Sequence, residues 1–152
     1  MNATGQATIV TRRLIFAVKR GTSEKAMIKK VLIIDDSPVA RKILRSCMPK
    51  DRAFDFFEAG DGLSGLQQFE TANPDVTFVD LTMPVMNGLD ALKRMKAVRP
   101  ESFIVVCSAD VQPKTIETVM SLGAFTMMRK PPAKETVADV LARIESAAPP
   151  TA

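Results

Sequence analysis

Acid, hydroxyl and amine side chains stand directly after the hydrophobic runs of this chain. Four of the runs end in them, and in chain order they are Asp35 with Asp36, then Asp80, Ser108 and Lys130. Crowded carboxylates repel one another and usually hold a cation, and oxygen ligands suit a hard ion such as Mg²⁺. A lysine beside them can receive an anion. If the runs are parallel strands of one sheet, this combination predicts phosphoryl transfer onto a carboxylate.

The hydrophobic runs alternate with segments of helical periodicity, which predicts five strands and five helices. The strands are expected at residues 31–34, 54–59, 76–79, 103–107 and 125–129. The helices are expected at about residues 38–48, 63–69, 89–95, 113–122 and 133–144. Ser37 followed by Pro38 is typical of a helix N-cap with proline in the first turn. In that helix, Val39, Ile43 and Leu44 are expected to face the core.

Strands that alternate with helices imply a doubly wound α/β fold, in which a five-stranded parallel sheet carries helices on both faces. In such sheets, ligands collect beyond the carboxyl ends of the strands. This topology is an independent reason to expect the polar residues to converge at one edge.

Composition excludes several classes of protein. The 152 residues are 46% apolar and 25% charged, as in an ordinary globular domain. No apolar stretch approaches the roughly 20 residues of a membrane span. Residues 1–30 hold seven Lys or Arg and one acid, whereas residues 31–152 hold fourteen and sixteen. The expected folded part is therefore mildly acidic, and direct DNA binding is not expected.

The cysteine and histidine content limits the kinds of site that the chain can form. Cys47 and Cys107 lie far apart in apolar settings and are expected to be buried free thiols, which fits a reducing cytoplasm. The chain has no histidine. This excludes a histidine-based catalytic or metal site, and the chain cannot itself carry phosphohistidine.

Four segments resemble the receiver domain of response regulators, the family of the chemotaxis regulator. They are residues 31–37 (VLIIDDS), 79–88 (VDLTMPVMNG), 106–109 (VCSA) and Lys130–Pro131. The resemblance covers about residues 29–147 and implies a flavodoxin-like sheet with strand order 2-1-3-4-5. Residues 1–28 are then a basic N-terminal extension, and residues 148–152 are a short frayed tail.

The resemblance implies a Mg²⁺ site that consists of three acids and one backbone carbonyl. Asp36 and Asp80 would bind the ion directly, together with the backbone carbonyl of Thr82. Asp35 would hold the ion through water and would help to position the phosphodonor.

The resemblance also implies that Asp80 accepts a phosphoryl group from the phosphohistidine of a histidine kinase or histidine phosphotransfer protein. Lys130 would pair with the phosphoryl oxygens, and Ser108 would donate a hydrogen bond to the phosphoryl group. A cation and an ammonium lower the barrier because the transferring group spreads negative charge over its oxygens. The protein would thus catalyse only its own phosphorylation and dephosphorylation.

No output domain is expected after the last helix, so signalling is expected to proceed by docking onto an unidentified downstream protein. The family's usual docking surface corresponds to residues 112–145. One position departs from the family, because Met127 stands where Tyr or Phe is usual, three residues before Lys130. Methionine is flexible enough to fill the same space, but it lacks the ring edge and the hydroxyl of the usual residue.

Two other classes of protein remain open. An aspartate-nucleophile phosphohydrolase needs a second Asp two residues after its nucleophile, whereas Ser37 and Pro38 stand two residues after Asp35 and Asp36. A receiver-fold interaction module that is never phosphorylated has no need of the acids or the lysine. For residues 1–26, the open interpretations are a basic tail, a partner-binding segment, or translation that starts at Met27.

Overall fold

The computed structural model describes residues 27–148, in which strands and helices alternate. The strands are β1 (Lys30–Ile34), β2 (Asp55–Ala59), β3 (Val76–Asp80), β4 (Ile104–Ser108) and β5 (Thr126–Arg129). The helices are α1 (Pro38–Ser46), α2 (Gly62–Ala72), α3 (Gly88–Val98), α4 (Pro113–Ser121) and α5 (Lys134–Ala147). Residues 1–26 and 149–152 lie outside the described part, which therefore excludes most of the predicted N-terminal extension and C-terminal tail.

The compact unit that carries every contact discussed below is Ile28–Leu141. The other described residues are Met27 and the chain from residue 142 to residue 148, which includes the end of α5. No helix of the described residues combines the length and the apolar character that crossing a membrane requires.

The five strands form one parallel sheet in the order β2-β1-β3-β4-β5. This confirms the predicted doubly wound fold and its strand order. Within the sheet, Ile34 pairs with Val79, and Asp80 pairs with Cys107. Because the paired strands end at the same level, the residues that follow them lie along one carboxyl edge.

Helix α1 begins as the sequence predicts and ends slightly earlier. The Ser37 side chain accepts a hydrogen bond from the backbone N–H of Ala40, at 3.1 Å, and Pro38 occupies the first turn. The helix ends at Ser46 rather than at residue 48, and Cys47 forms its C-cap. The N-cap places the first turn of α1 directly beside the carboxyl end of β1.

The prediction that Val39 and Ile43 face the core is wrong. Val39 is 66% exposed and Ile43 is 40% exposed, whereas Leu44 is 5% exposed. The strip that faces inward runs through Ala40 and Leu44, since residues four apart share one side of a helix. Val39 and Ile43 lie one position earlier, about 100° round the helix axis, and therefore point outward.

The core between the sheet and its covering helices consists largely of aliphatic residues and methionine. It includes Leu32, Ile34, Val79, Leu92, Met95, Ile104 and Val106. Met127 is half-buried and packs against this cluster, whereas Met120 is 43% exposed. Cys47 and Cys107 are buried and free, as predicted.

Candidate functional site

The carboxyl edge of the sheet gathers the acids that the sequence places after β1 and β3. Asp35 follows β1 directly and is 6% exposed, and Asp80 is the last residue of β3 and is 8% exposed. Asp36 is exposed beside them. One oxygen from each of the three carboxylates lies within 4.8 Å of the others.

This donor set fits a hard divalent cation. All three ligand atoms are carboxylate oxygens, which Mg²⁺ prefers. Three negative charges at this spacing also need a cation to offset their repulsion. Asp35, Asp36 and Asp80, here called the acidic edge, are therefore the residues that would hold Mg²⁺.

Lys130 places its ammonium group at this edge, as the sequence predicts. Its Nζ lies 2.8 Å from Asp35 Oδ2 and 3.4 Å from Asp80 Oδ1. Burial alone would lower the pKa of Lys130, but hydrogen bonds and charge from Asp35 and Asp80 raise it above its usual value. The lysine is therefore a fixed positive charge across the physiological range of pH.

Burial also governs the ionisation of Asp80. Its pKa is raised, first because the carboxyl is desolvated and also because Asp35 and Asp36 are negative; the attraction of Lys130 opposes the rise. The ionised form is thus less favourable here than in water. A bound cation would offset that penalty and would leave the carboxylate ready to act as a nucleophile.

Asp35 is held more tightly than the sequence suggests. Its Oδ1 accepts a hydrogen bond from the backbone N–H of Ser37, at 2.9 Å, and its Oδ2 faces Lys130. Its own N–H donates to the carbonyl of Ala59, and its carbonyl accepts from Arg41 Nη1. Nothing local in the sequence indicates this role of Arg41, because a helical arginine carries no signal that it contacts the end of a strand.

Ser108 and Thr82 lie on the same edge. The hydroxyl oxygen of Ser108 accepts a hydrogen bond from the backbone N–H of Asp110, at 3.0 Å. The backbone carbonyl of Ser108 accepts from Lys130 N, also at 3.0 Å, which ties the two strand ends together. Thr82 is exposed, two residues after Asp80, and its part as a backbone ligand stays a prediction.

The loop after β3 is packed against the strand end itself. A Cβ on Gly88 would lie 2.2 Å from the carbonyl oxygen of Asp80, so only glycine allows this approach. The backbone N–H of Gly88 donates to the carbonyl of Leu81, at 2.9 Å. The loop thereby fixes the backbone on which Asp80 stands.

Beneath the edge lies a small cavity of about 20 Å³, bordered by Asp35, Asp80, Cys107 and Lys130 among others. Burial raises the pKa of the Cys107 thiol to about 12. The thiol is therefore neutral and does not compete with Asp80 as a nucleophile.

Comparison with known proteins identifies the family of this chain. The model of the response regulator receiver domain matches residues 31–142. The chain is 32% identical over 116 residues to the chemotaxis protein CheY of Thermotoga maritima, covering 76% of this chain and 97% of that protein. It is 36% identical over 104 residues to a protein-glutamate methylesterase/protein-glutamine glutaminase of Halalkalibacterium halodurans, covering 67% of this chain and 30% of that protein.

A solved structure agrees in fold. It is the CheX–CheY–BeF3–Mg²⁺ complex from Borrelia burgdorferi, with a TM-score of 0.69 and 27% identity, covering 80% of this chain and 90% of that one. The chain therefore belongs to the response regulator receiver domain family. It is a receiver domain of the CheY type, the class of domain used in two-component signalling.

Proposed function

We propose that the chain works as a response regulator whose Asp80 accepts a phosphoryl group. The donor is the phosphohistidine of a histidine kinase or of a histidine phosphotransfer protein. One observation carries the proposal. Asp80 is one of three aspartates whose carboxylate oxygens lie within 4.8 Å of one another, and its Oδ1 lies 3.4 Å from Lys130 Nζ. An isolated buried acid would have neither neighbour.

The reaction transfers the phosphoryl group without any other change. A carboxylate oxygen of Asp80 forms a bond to phosphorus, the bond from phosphorus to the donor imidazole nitrogen breaks, and that nitrogen takes a proton from solvent. Lys130 offsets the negative charge on the phosphoryl oxygens. Because Ser108 Oγ already accepts a hydrogen bond from Asp110 N, its own hydrogen is available for a phosphoryl oxygen.

Asp35, Asp36 and Asp80 would hold Mg²⁺, together with the backbone carbonyl of Thr82. When bound, the ion supplies positive charge that stabilises the transferring phosphoryl group. The similar structure from Borrelia burgdorferi is a complex of CheY with BeF3 and Mg²⁺, which supports this choice of metal.

The phosphorylated protein would signal in the cytoplasm by docking a downstream protein through residues 112–145. Within this segment, α4 carries Ile116, which is 37% exposed, and Met120, which is 43% exposed. Ile116 and Met120 are four residues apart, so they lie on the same side of α4 and belong to the surface proposed to dock. Transfer of the phosphoryl group would shift a two-state equilibrium that the partner senses.

Stoichiometric labelling tests the proposal. The wild type, Asp80→Asn and Asp55→Asn are incubated with acetyl phosphate and Mg²⁺, and their intact masses are measured. Asp55 is an exposed acid at the start of β2, so its substitution matches the loss of charge away from the site. We expect one phosphoryl group per chain in the wild type and in Asp55→Asn, and none in Asp80→Asn.

Two results would contradict the proposal. Steady release of phosphate from small phosphate esters without labelled protein would favour the phosphohydrolase. A wild type that neither takes a label nor responds to beryllofluoride with Mg²⁺ would favour an interaction module that is not phosphorylated.

A further inference from the structure

Arg41 connects the acidic edge with the outer side of α1 and β2. Its Nη1 donates a hydrogen bond to the backbone carbonyl of Asp35 at 2.5 Å, and its Nε donates to Glu58 Oε1 at 2.7 Å. The Arg41 side chain is 18% exposed, so most of it is removed from water. Two nitrogens of one rigid guanidinium are thus used at once, in two different directions.

The carbonyl that Arg41 binds lies between two acids of the acidic edge, Asp35 and Asp36. It belongs to the planar peptide unit that joins Asp35 to Asp36. Strand β1 ends at Ile34, and the sheet hydrogen bond of Asp35 uses its N–H, which donates to the carbonyl of Ala59. The bond from Arg41 is therefore a restraint on the peptide plane from which Asp36 branches.

The two acids depend on that plane to different degrees. Both carboxylate oxygens of Asp35 are held, by Ser37 N at 2.9 Å and by Lys130 Nζ at 2.8 Å. Asp36 is exposed, so packing restrains it little and its position follows from the backbone that carries it. A peptide plane that tilts would move Asp36 relative to Asp35 and Asp80.

Glu58 anchors the arginine from the other side. Its Oε1 accepts from Arg41, and its Oε2 accepts from Arg45 Nη1 at 2.7 Å. The Arg45 guanidinium in turn lies 4.7 Å from the centre of the Phe56 ring. With both oxygens engaged, Glu58 keeps the Arg41 fork from turning towards solvent.

We propose that Arg41, anchored by Glu58, is a positioning residue that holds the Asp35–Asp36 peptide and thereby sets the Mg²⁺ affinity of the acidic edge. This inference rests on the proposed function, because it takes the acidic edge to be a Mg²⁺ site. Partners that orient metal ligands from behind commonly change metal affinity by about 10–100-fold when they are removed.

Titration with Mg²⁺ alone, followed by isothermal calorimetry, tests the inference without any phosphodonor. We expect Arg41→Met to weaken Mg²⁺ binding about 10-fold. The matched control is Arg45→Met, which removes the same charge from the same helix and one bond to Glu58, but no contact to the acidic edge. We expect it to bind Mg²⁺ as the wild type does, and equal weakening by the two substitutions would overturn the inference.

The dependence of labelling on Mg²⁺ separates positioning from a general structural role. Arg41→Met should need about 10-fold more Mg²⁺ for the half-maximal rate with acetyl phosphate and should approach the wild-type rate at saturation. Arg41→Lys should fall between the two, because one ammonium cannot copy the two-directional fork. A drop in melting temperature with an unchanged half-saturating Mg²⁺ concentration would contradict the inference.

Glu58→Gln keeps the test decisive if Arg41→Met does not fold. It leaves Arg41 in place but removes the charge that anchors it, and we expect weaker Mg²⁺ binding than in Arg45→Met. Equal affinity of these two variants would overturn the inference. Failure of the wild type to bind Mg²⁺ would instead refute the proposed function, so the two failures are distinguishable.

Discussion

Two charged clusters lie beside α1, and they differ in how their carboxylates are paired. The acidic edge sets three carboxylates, those of Asp35, Asp36 and Asp80, against the single ammonium of Lys130. The second cluster sets the one carboxylate of Glu58 between two guanidinium groups, each at 2.7 Å. The acidic edge therefore has an excess of two negative charges, which a cation can offset, whereas the second cluster has one excess positive charge and a carboxylate that is paired on both oxygens.

The pKa values follow this difference. Burial raises the pKa of Asp80, and the one nearby ammonium does not offset it. Burial also acts to raise the pKa of Glu58, but hydrogen bonds and charge from Arg41 and Arg45 outweigh it and lower the pKa. A carboxylate that is paired on both oxygens supports structure, whereas carboxylates that outnumber their cationic partners are suited to binding a cation.

Loss of the Lys130 ammonium should slow phosphorylation strongly, although it leaves the acceptor Asp80 in place. Lys130→Met removes the positive charge that faces the transferring phosphoryl group, and we expect labelling by acetyl phosphate to slow about 100-fold. Initial rates at fixed Mg²⁺ measure this change. Arg129→Met is the control, since it removes a neighbouring charge from an exposed position; equal slowing in both variants would show that only the overall charge matters.

Loss of one carboxylate should stabilise the protein when Mg²⁺ is absent. Asp80→Asn removes a buried charge that burial and Asp35 disfavour, and we expect the melting temperature to rise by about 3 °C. In the presence of Mg²⁺ the difference should shrink, because the wild type gains more from binding the ion. Asp55→Asn should change little under either condition, and a drop for Asp80→Asn without metal would contradict this account.

The Glu58 cluster should show the smallest effect, and removal of its negative charge should destabilise the protein rather than stabilise it. Glu58→Gln should destabilise the protein by about 0.5–1 kcal/mol at pH 7, a value limited by partial exposure to solvent. Because the folded pKa lies below the ordinary value of 4.5, the stabilisation by Glu58 is present above that value and is lost as the pH falls through the folded pKa. The two proteins should therefore converge in stability in acid.

Urea unfolding at several pH values measures this dependence. Glu117→Gln, on the exposed surface of α4, serves as the control and should differ little from the wild type at any pH. A difference between the wild type and Glu58→Gln that grows as the pH falls would contradict the assigned sign.

The sequence predicts the sheet and the acidic edge well because both depend on local signals. Short apolar runs indicate the strands, and Asp35, Asp80 and Lys130 stand directly at or after strand ends, where topology alone brings them together. The register of the parallel sheet then determines which face each side chain occupies, because a slip of one residue would turn it to the opposite face.

The wrongly predicted side-chain orientations and the unpredicted Arg41 contacts lie on α1, where rotation about the helix axis decides contacts. Val39 and Ile43 are apolar and suggest an inward face, yet Ala40 and Leu44 provide it. Rotation about the helix axis also places Arg41 where it contacts Asp35, directly after β1, and Glu58, on β2. Hydrophobic spacing does not reveal this, because a small residue such as alanine contributes little to the pattern.

The burial of both cysteines has a practical consequence for a chain that contains neither tryptophan nor tyrosine. Cys47 is 8% exposed and Cys107 is 7% exposed, and each is a free thiol. A thiol-reactive reagent can therefore modify them readily only when the native packing opens. The two sulfurs thus act as internal reporters of opening, able to register how much the fold tightens when a ligand binds.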